Sequence, residues 1–136
     1  MKTAIYSASL DPITNGHIWV VNTALKIFDK VVVAVSDNPS KKYLFSQHDR
    51  ADMAKRVFAG DNKVIVESIG NRFVVDFAER VGEDHGGQVC LIKGLRNATD
   101  LAYEKQQALV NERFSGIQTF YVACPSELEC VSSSFV

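Results

Sequence analysis

Apolar residues in this chain gather in short, nearly unbroken runs: TAIYSA from Thr3, KVVVAVS from Lys30, KVIVES from Lys63, QVCLI from Gln88 and QTFYVA from Gln118. A strand that faces water on one side alternates apolar and polar positions, whereas a continuous β-branched run reads as a strand buried on both faces. Between the runs the apolar spacing changes to three and four. In GHIWVVNTALKIF, Ile18, Val21, Leu25 and Phe28 fall on one helical stripe. In SQHDRADMAKRVFAG, Ser46 and Asp49 have capping-box spacing, and Gly60 is a natural stop. NRFVVDFAERVG and NATDLAYEKQQALVNERF supply two more helical segments.

Strand and helix alternate along the whole chain. That order predicts an α/β protein, a doubly wound five-stranded parallel sheet with helices on both faces and right-handed crossovers. No repeat, low-complexity tract or linker interrupts it, so residues 1–136 read as a single domain. In a sheet ordered 3-2-1-4-5, a ligand crevice lies beyond the carboxyl ends of the first and fourth strands, where the strand order reverses. The two most unusual loops follow those strands: SASLDPITNGH, and KGLRNATDLAYE from Lys93 to Glu104.

Composition narrows the function classes. Fifteen basic and 16 acidic side chains leave a net charge of -1, which argues against a DNA- or RNA-binding surface. A local basic site for a small phosphorylated ligand stays open. Cys90, Cys124 and Cys130 are odd in number and lack C-x-x-C spacing. They read as space-filling thiols of a reduced, cytoplasmic protein. The opening MKTAIYSAS has no signal-peptide core, and no segment reaches membrane-spanning length.

The first loop carries neither the G-x-G-x-x-G of dinucleotide binding nor the G-x-x-x-x-G-K-[ST] phosphate cradle. It places His17 at a helix start, where unpaired N–H groups and the dipole attract anions. Thr14 or Asn15 can cap that helix, Gly16 lets a ligand approach the backbone, and His17 can aim an imidazole N–H at a phosphate oxygen. A lone histidine reads equally well as a helix-start residue bonded to backbone. Lys41 and Lys42, in NPSKK, either add charge to the same rim or form a solvated pair. Lys93 and Arg96 follow the fourth strand, where a guanidinium can hold phosphate in a bidentate pair. Glu104 is a surface charge or a partner for one of these cations. His48 and His85 read as surface residues.

Taken in order, T-x-G-H, S-K-K, G-L-R, Y-E and S-S-S resemble the phosphopantetheine adenylyltransferase family, within the nucleotidylyltransferase superfamily and its Rossmann-like fold. The longer stretches are the specific ones: DPITNGH, PSKK, and GLR followed eight residues later by Glu104. The resemblance implies adenylyl transfer from ATP to 4'-phosphopantetheine with Mg2+, giving dephospho-coenzyme A and pyrophosphate. It implies His17 as the transition-state stabiliser, with Ser9 and Leu10 at the junction between nucleotide and acceptor phosphate. Lys41 and Lys93 would hold the acceptor phosphate and Val74 would line the pantetheine arm. Gly94, Leu95, Arg96 and Glu104 would contact ATP, as would Leu128, Glu129, Cys130, Val131, Ser132, Ser133 and Ser134. Inhibition by coenzyme A and a homohexamer are implied in the same way.

The chain departs from the family's pattern in places. Ala8, Ser9 and Leu10 stand where Gly-Thr-Phe is usual; Ser9 keeps a hydroxyl, while Ala8 gives up backbone freedom and adds a methyl near the phosphates. Lys93 stands in place of arginine and loses the planar fork. PSELECVSSS is one residue shorter than is typical and lacks the usual aromatic residue. The chain ends just after its serines, as though cut where a helix begins, and loss of that helix would uncover apolar sheet surface. Two alternatives follow: the same chemistry on another phosphorylated acceptor, such as nicotinamide mononucleotide or a polyol phosphate, and a nucleotide-binding domain without turnover.

Overall fold

Five strands and three helices follow one another in the computed structural model, which describes residues 1–38, 41–95, 116–123 and 125. They are β1 (Lys2–Ala8), α1 (Asn15–Ala24), β2 (Lys30–Ser36), α2 (Gln47–Val57), β3 (Val64–Gly70), α3 (Val74–His85), β4 (Gln88–Leu95) and β5 (Thr119–Ala123). All strand pairs are parallel, in the order β3-β2-β1-β4-β5. β1 is central: Tyr6 pairs with Val33 of β2 on one side and with Ile92 of β4 on the other. The fourth helical segment of the sequence, NATDLAYEKQQALVNERF, lies outside the described residues.

Why the strand runs are continuous is plain from the packing. Alternate residues serve opposite faces of the sheet. Ala4, Tyr6, Val31, Val33, Val35, Cys90 and Ile92 face α1 and α2, meeting Val20, Val21, Ala24, Ala51, Ala54 and Phe58. Ile5, Val32, Ala34 and Leu91 face α3, meeting Phe77, Ala78 and Val81. With α1 and α2 on one face and α3 on the other, the direction of winding reverses between β1 and β4, as a doubly wound sheet requires. Burial pushes the Cys90 thiol pKa up, with Lys2 opposing weakly, so this cysteine stays protonated and fills space. Cys124 and Cys130 lie outside the described residues. Among those residues no helix is long and apolar enough to cross a membrane.

Helix boundaries differ from expectation in three ways. The buried face of α1 is Val20, Val21 and Ala24; Ile18 and Leu25 flank it half-buried, and Phe28 is buried beyond the helix end. Ala24 is fully buried, and its small side chain lets the helix lie close on the sheet, which shifts the contact face off the larger residues. α2 begins as predicted, with Ser46 Oγ accepting the Asp49 N–H at 3.1 Å. It stops at Val57, before Gly60, with Phe58 as its C-cap and the Phe58 ring buried in the core. α3 starts at Val74 and runs to His85, three residues later at each end than the NRFVVDFAERVG segment.

One turn demands glycine. Gly87 has φ +74, and a Cβ there would overlap the Met1 carbonyl oxygen. That carbonyl accepts the Gln88 N–H at 3.0 Å, so it cannot simply swing away. Gly87→Ala is therefore expected to lower stability by about 1–3 kcal/mol, read as a reduced urea midpoint at unchanged slope. An unchanged midpoint would show that the first residue yields freely.

Candidate active site

The loop after β1 has an unusual backbone. Leu10 is left-handed, with φ 52, although it is not glycine, and the Asp11–Pro12 peptide is cis. A branched residue holds such a conformation only where its surroundings fix it, and Leu10 is 1% exposed in the core. Ala8, two residues earlier, packs its methyl against the α1–α2 core.

This loop delivers the chain to α1 with Thr14 as the N-cap and His17 at the third helical position. The Thr14 N–H donates to His17 Nδ1 at 2.9 Å, and Thr14 Oγ1 lies 3.1 Å from the same nitrogen. The imidazole thus takes the place that glutamate or glutamine fills in a capping box. A backbone N–H can only donate, so Nδ1 is the acceptor and the neutral ring carries its proton on Nε2. His17 is half-buried, with the Tyr6 ring 6.4 Å away. Both readings of His17 meet here: it bonds to backbone at a helix start, and that bond fixes which nitrogen is the donor.

Asp11 joins this loop to the one after β2. Its buried carboxylate accepts the Leu44 N–H at 2.7 Å and the Phe45 N–H at 2.9 Å. Arg50 of α2 adds a second tie. Its Nη1 donates to the Ser9 carbonyl at 3.0 Å and the Ser36 carbonyl at 3.1 Å, and its Nε to the Phe45 carbonyl at 3.0 Å. Nη2 is paired with the Asp37 carboxylate. The guanidinium also lies 4.0 Å from the centre of the Tyr43 ring. The Tyr43 hydroxyl in turn accepts the Asn38 N–H at 2.6 Å and sits 3.2 Å from Ser9 Oγ.

Lys41 Nζ lies 5.6 Å from the Tyr43 ring centre. It borders an open cleft of about 460 Å³ with Asp37, Asn38, Tyr43, Gly70 and Asn71, at the carboxyl ends of β2 and β3. Lys42 and His48 are exposed. Val74 opens α3 half-buried and packs against the α3-side core rather than bordering the cleft. Lys93, Gly94 and Leu95 form the half-buried end of β4, beside the end of β1 and in register with Tyr121, Val122 and Ala123 of β5. Ser9, Leu10, His17, Lys41 and Lys93 therefore share the carboxyl edge of the sheet. Arg96, Glu104 and Leu128, Glu129, Cys130, Val131, Ser132, Ser133 and Ser134 lie outside the described residues, as does the side chain of His85.

Asp11, Tyr43 and Arg50 were not singled out by the sequence. Arg50 did leave a trace: Ala54 and Phe58 follow it at steps of four and are buried, so the arginine sits on the apolar stripe of α2.

A family model described as cytidylyltransferase-like matches residues 5–136. The phosphopantetheine adenylyltransferase of Kocuria rhizophila is 41% identical over 136 residues, covering all of this chain and 84% of that protein. The Streptococcus suis protein of the same name is 39% identical, with 99% of this chain and 81% of the relative covered. For the Chromobacterium violaceum protein the identity is 36%, with coverage of 100% and 80%. Among solved structures, the nicotinic acid mononucleotide adenylyltransferase of Plasmodium falciparum, complexed with NaAD, superposes with a TM-score of 0.71 at 16% identity. It covers 98% of this chain and 81% of that one, which establishes the likeness of fold.

Proposed function

The chain belongs to the phosphopantetheine adenylyltransferase family, and from that premise we propose that it transfers the adenylyl group of ATP to 4'-phosphopantetheine. The products are dephospho-coenzyme A and pyrophosphate. The observation that carries the reading is the His17 geometry: an imidazole held by the Thr14 N–H at Nδ1 at the start of α1, beside the β1–β4 switch point.

The chemistry asks little of a base. The acceptor phosphate is already ionised, so one of its oxygens attacks the α-phosphorus of ATP while the bond to the β-phosphate oxygen breaks in line. Catalysis then rests on positioning and on charge stabilisation at the α-phosphate. His17 would donate from Nε2 to the α-phosphate oxygen as charge builds there. Ser9 and Leu10 would stand at the junction of the two substrates. Lys41 and Lys93 would neutralise the acceptor phosphate, and Val74 would meet the pantetheine arm from the α3 side. Gly94 and Leu95 would present backbone to ATP, joined by Arg96, Glu104 and the segment from Leu128 to Ser134.

Magnesium would enter on ATP, because it keeps its waters and prefers phosphate oxygens to an all-protein cage. Among the described residues, no group of three or more His, Cys, Asp or Glu is placed to hold a metal ion. When bound, the cation would screen charge on the departing pyrophosphate. The same proposal extends to a cytoplasmic setting, inhibition by coenzyme A and a homohexamer of six times the 15.0 kDa chain mass.

The test is pyrophosphate release from magnesium–ATP, with 4'-phosphopantetheine, nicotinamide mononucleotide and glycerol 3-phosphate as separate acceptors. Release with phosphopantetheine alone supports the proposal. Release with another acceptor moves the reaction elsewhere in the superfamily, and silence with all three rejects turnover. Within this reading, Lys41→Ala is expected to weaken phosphopantetheine binding about tenfold while changing ATP binding less than about twofold. Equal losses for both substrates would contradict the placement of Lys41.

A further inference from the structure

Tyr43 makes a contact that the reaction scheme does not use. Its hydroxyl oxygen lies 2.6 Å from the Asn38 backbone nitrogen and 3.2 Å from Ser9 Oγ. The Asn38 N–H is an obligatory donor, so the phenolic oxygen accepts there. With that lone pair engaged, the phenol's own proton is best directed at Ser9 Oγ. Serine has one proton and two acceptor positions. Once Ser9 Oγ accepts from Tyr43, its own O–H is left to donate elsewhere, and a phosphate oxygen is an acceptor only. The bonds then run one way, from Asn38 N–H to Tyr43 O–H to Ser9 O–H, and each strengthens the next by polarisation.

The ring is held for this task. The Arg50 guanidinium lies 4.0 Å from its centre and is itself fixed by three carbonyls and the Asp37 carboxylate. Arg50 Nη1 holds the Ser9 carbonyl as well, so the same side chain sets both ends of the Tyr43–Ser9 contact. The Lys41 ammonium, two residues away in the same loop, lies 5.6 Å from the ring centre.

The geometry points to Tyr43 as a positioning residue that turns the Ser9 hydroxyl into a dedicated hydrogen-bond donor for the acceptor phosphate. This rests on the proposed placement of Ser9 at the substrate junction. Tyr43→Phe keeps the ring and its contact with Arg50 but removes the donor to Ser9 Oγ, leaving the Ser9 O–H free to turn away.

A double-mutant cycle tests it: the parent, Tyr43→Phe, Ser9→Ala and the double variant. Binding of 4'-phosphopantetheine is measured by calorimetry, turnover by pyrophosphate release and folding by thermal melts. Tyr43→Phe is expected to weaken acceptor binding about fivefold at a nearly unchanged melting temperature, and to have no further effect once Ser9 is alanine. Equal losses in both backgrounds would mark Tyr43 as merely structural and overturn the inference, while parent turnover leaves the proposed reaction standing. A Ser9→Ala variant that binds the acceptor normally overturns it as well. A parent that binds neither ATP nor 4'-phosphopantetheine would overturn both the inference and the reaction.

Discussion

Replacing His17 with alanine is expected to slow adenylyl transfer by about 10²–10³, the usual cost of removing one preorganised donor from a developing oxyanion. The fold should survive. The Thr14 N–H loses its side-chain acceptor, worth about 0.5–1 kcal/mol by analogy with lost helix caps. Those two effects can be separated, because glutamate is the ordinary partner at this capping-box position. A carboxylate at residue 17 would still accept the Thr14 N–H yet could not donate to phosphate. His17→Glu is therefore expected to melt close to the parent and to be at least as slow as His17→Ala. Steady-state pyrophosphate release beside thermal melts decides the matter. Near-normal turnover by either variant would remove His17 from the mechanism.

Arg50 should dominate stability in the same way. Its side chain is 2% exposed and serves the carbonyls of Ser9, Ser36 and Phe45 as well as the Asp37 carboxylate. Methionine at this position fills a comparable volume and donates nothing, leaving three carbonyls and a carboxylate without their partner. Asp37 is one-third exposed and can turn to water, which reduces the penalty. The expected loss for Arg50→Met is about 2–4 kcal/mol. Lysine keeps the charge but lacks the fork that reaches several acceptors at once, so Arg50→Lys should recover no more than about half. Both are read from urea midpoints at unchanged slope. A methionine variant within about 0.5 kcal/mol of the parent would show that packing, not the guanidinium, holds these loops.

What the sequence made legible was local or periodic. Buried runs such as KVVVAVS predict a strand covered on both faces, and β2 is one. Ser46 predicts a helix start by its own chemistry, and Asp49 N–H finds it. The T-x-G-H loop predicts a histidine at a helix N-terminus, and His17 is the third residue of α1. Arg50 showed only its place on the apolar stripe of α2, because most of its partners are backbone carbonyls, which every residue carries and no pattern marks. Asp11 was hidden for the mirror reason: it accepts from the amides of Leu44 and Phe45, residues remote in sequence. Gly60 misled because α2 ends at a Phe58 C-cap, two residues before it. Arg96, Glu104 and the segment from Leu128 to Ser134, proposed to contact ATP, lie outside the described residues.

The strand order also carries a consequence for how the molecule is made. β1 leaves the ribosome first and takes the middle of the sheet, where its β2 neighbour follows after one helix. The β4 neighbour arrives only after β2, α2, β3 and α3 have been synthesised. Pairing across that seam closes the longer loop, so it bears the larger entropic cost and is expected to come late. The substrate junction proposed at the ends of β1 and β4 belongs to the same seam. A nascent chain that has formed β1, β2 and β3 can display His17 and Lys41, but it has only one wall of the pocket. Substrate held there can therefore reward folding only once β4 has closed on β1, as a latch on that seam and on no earlier step.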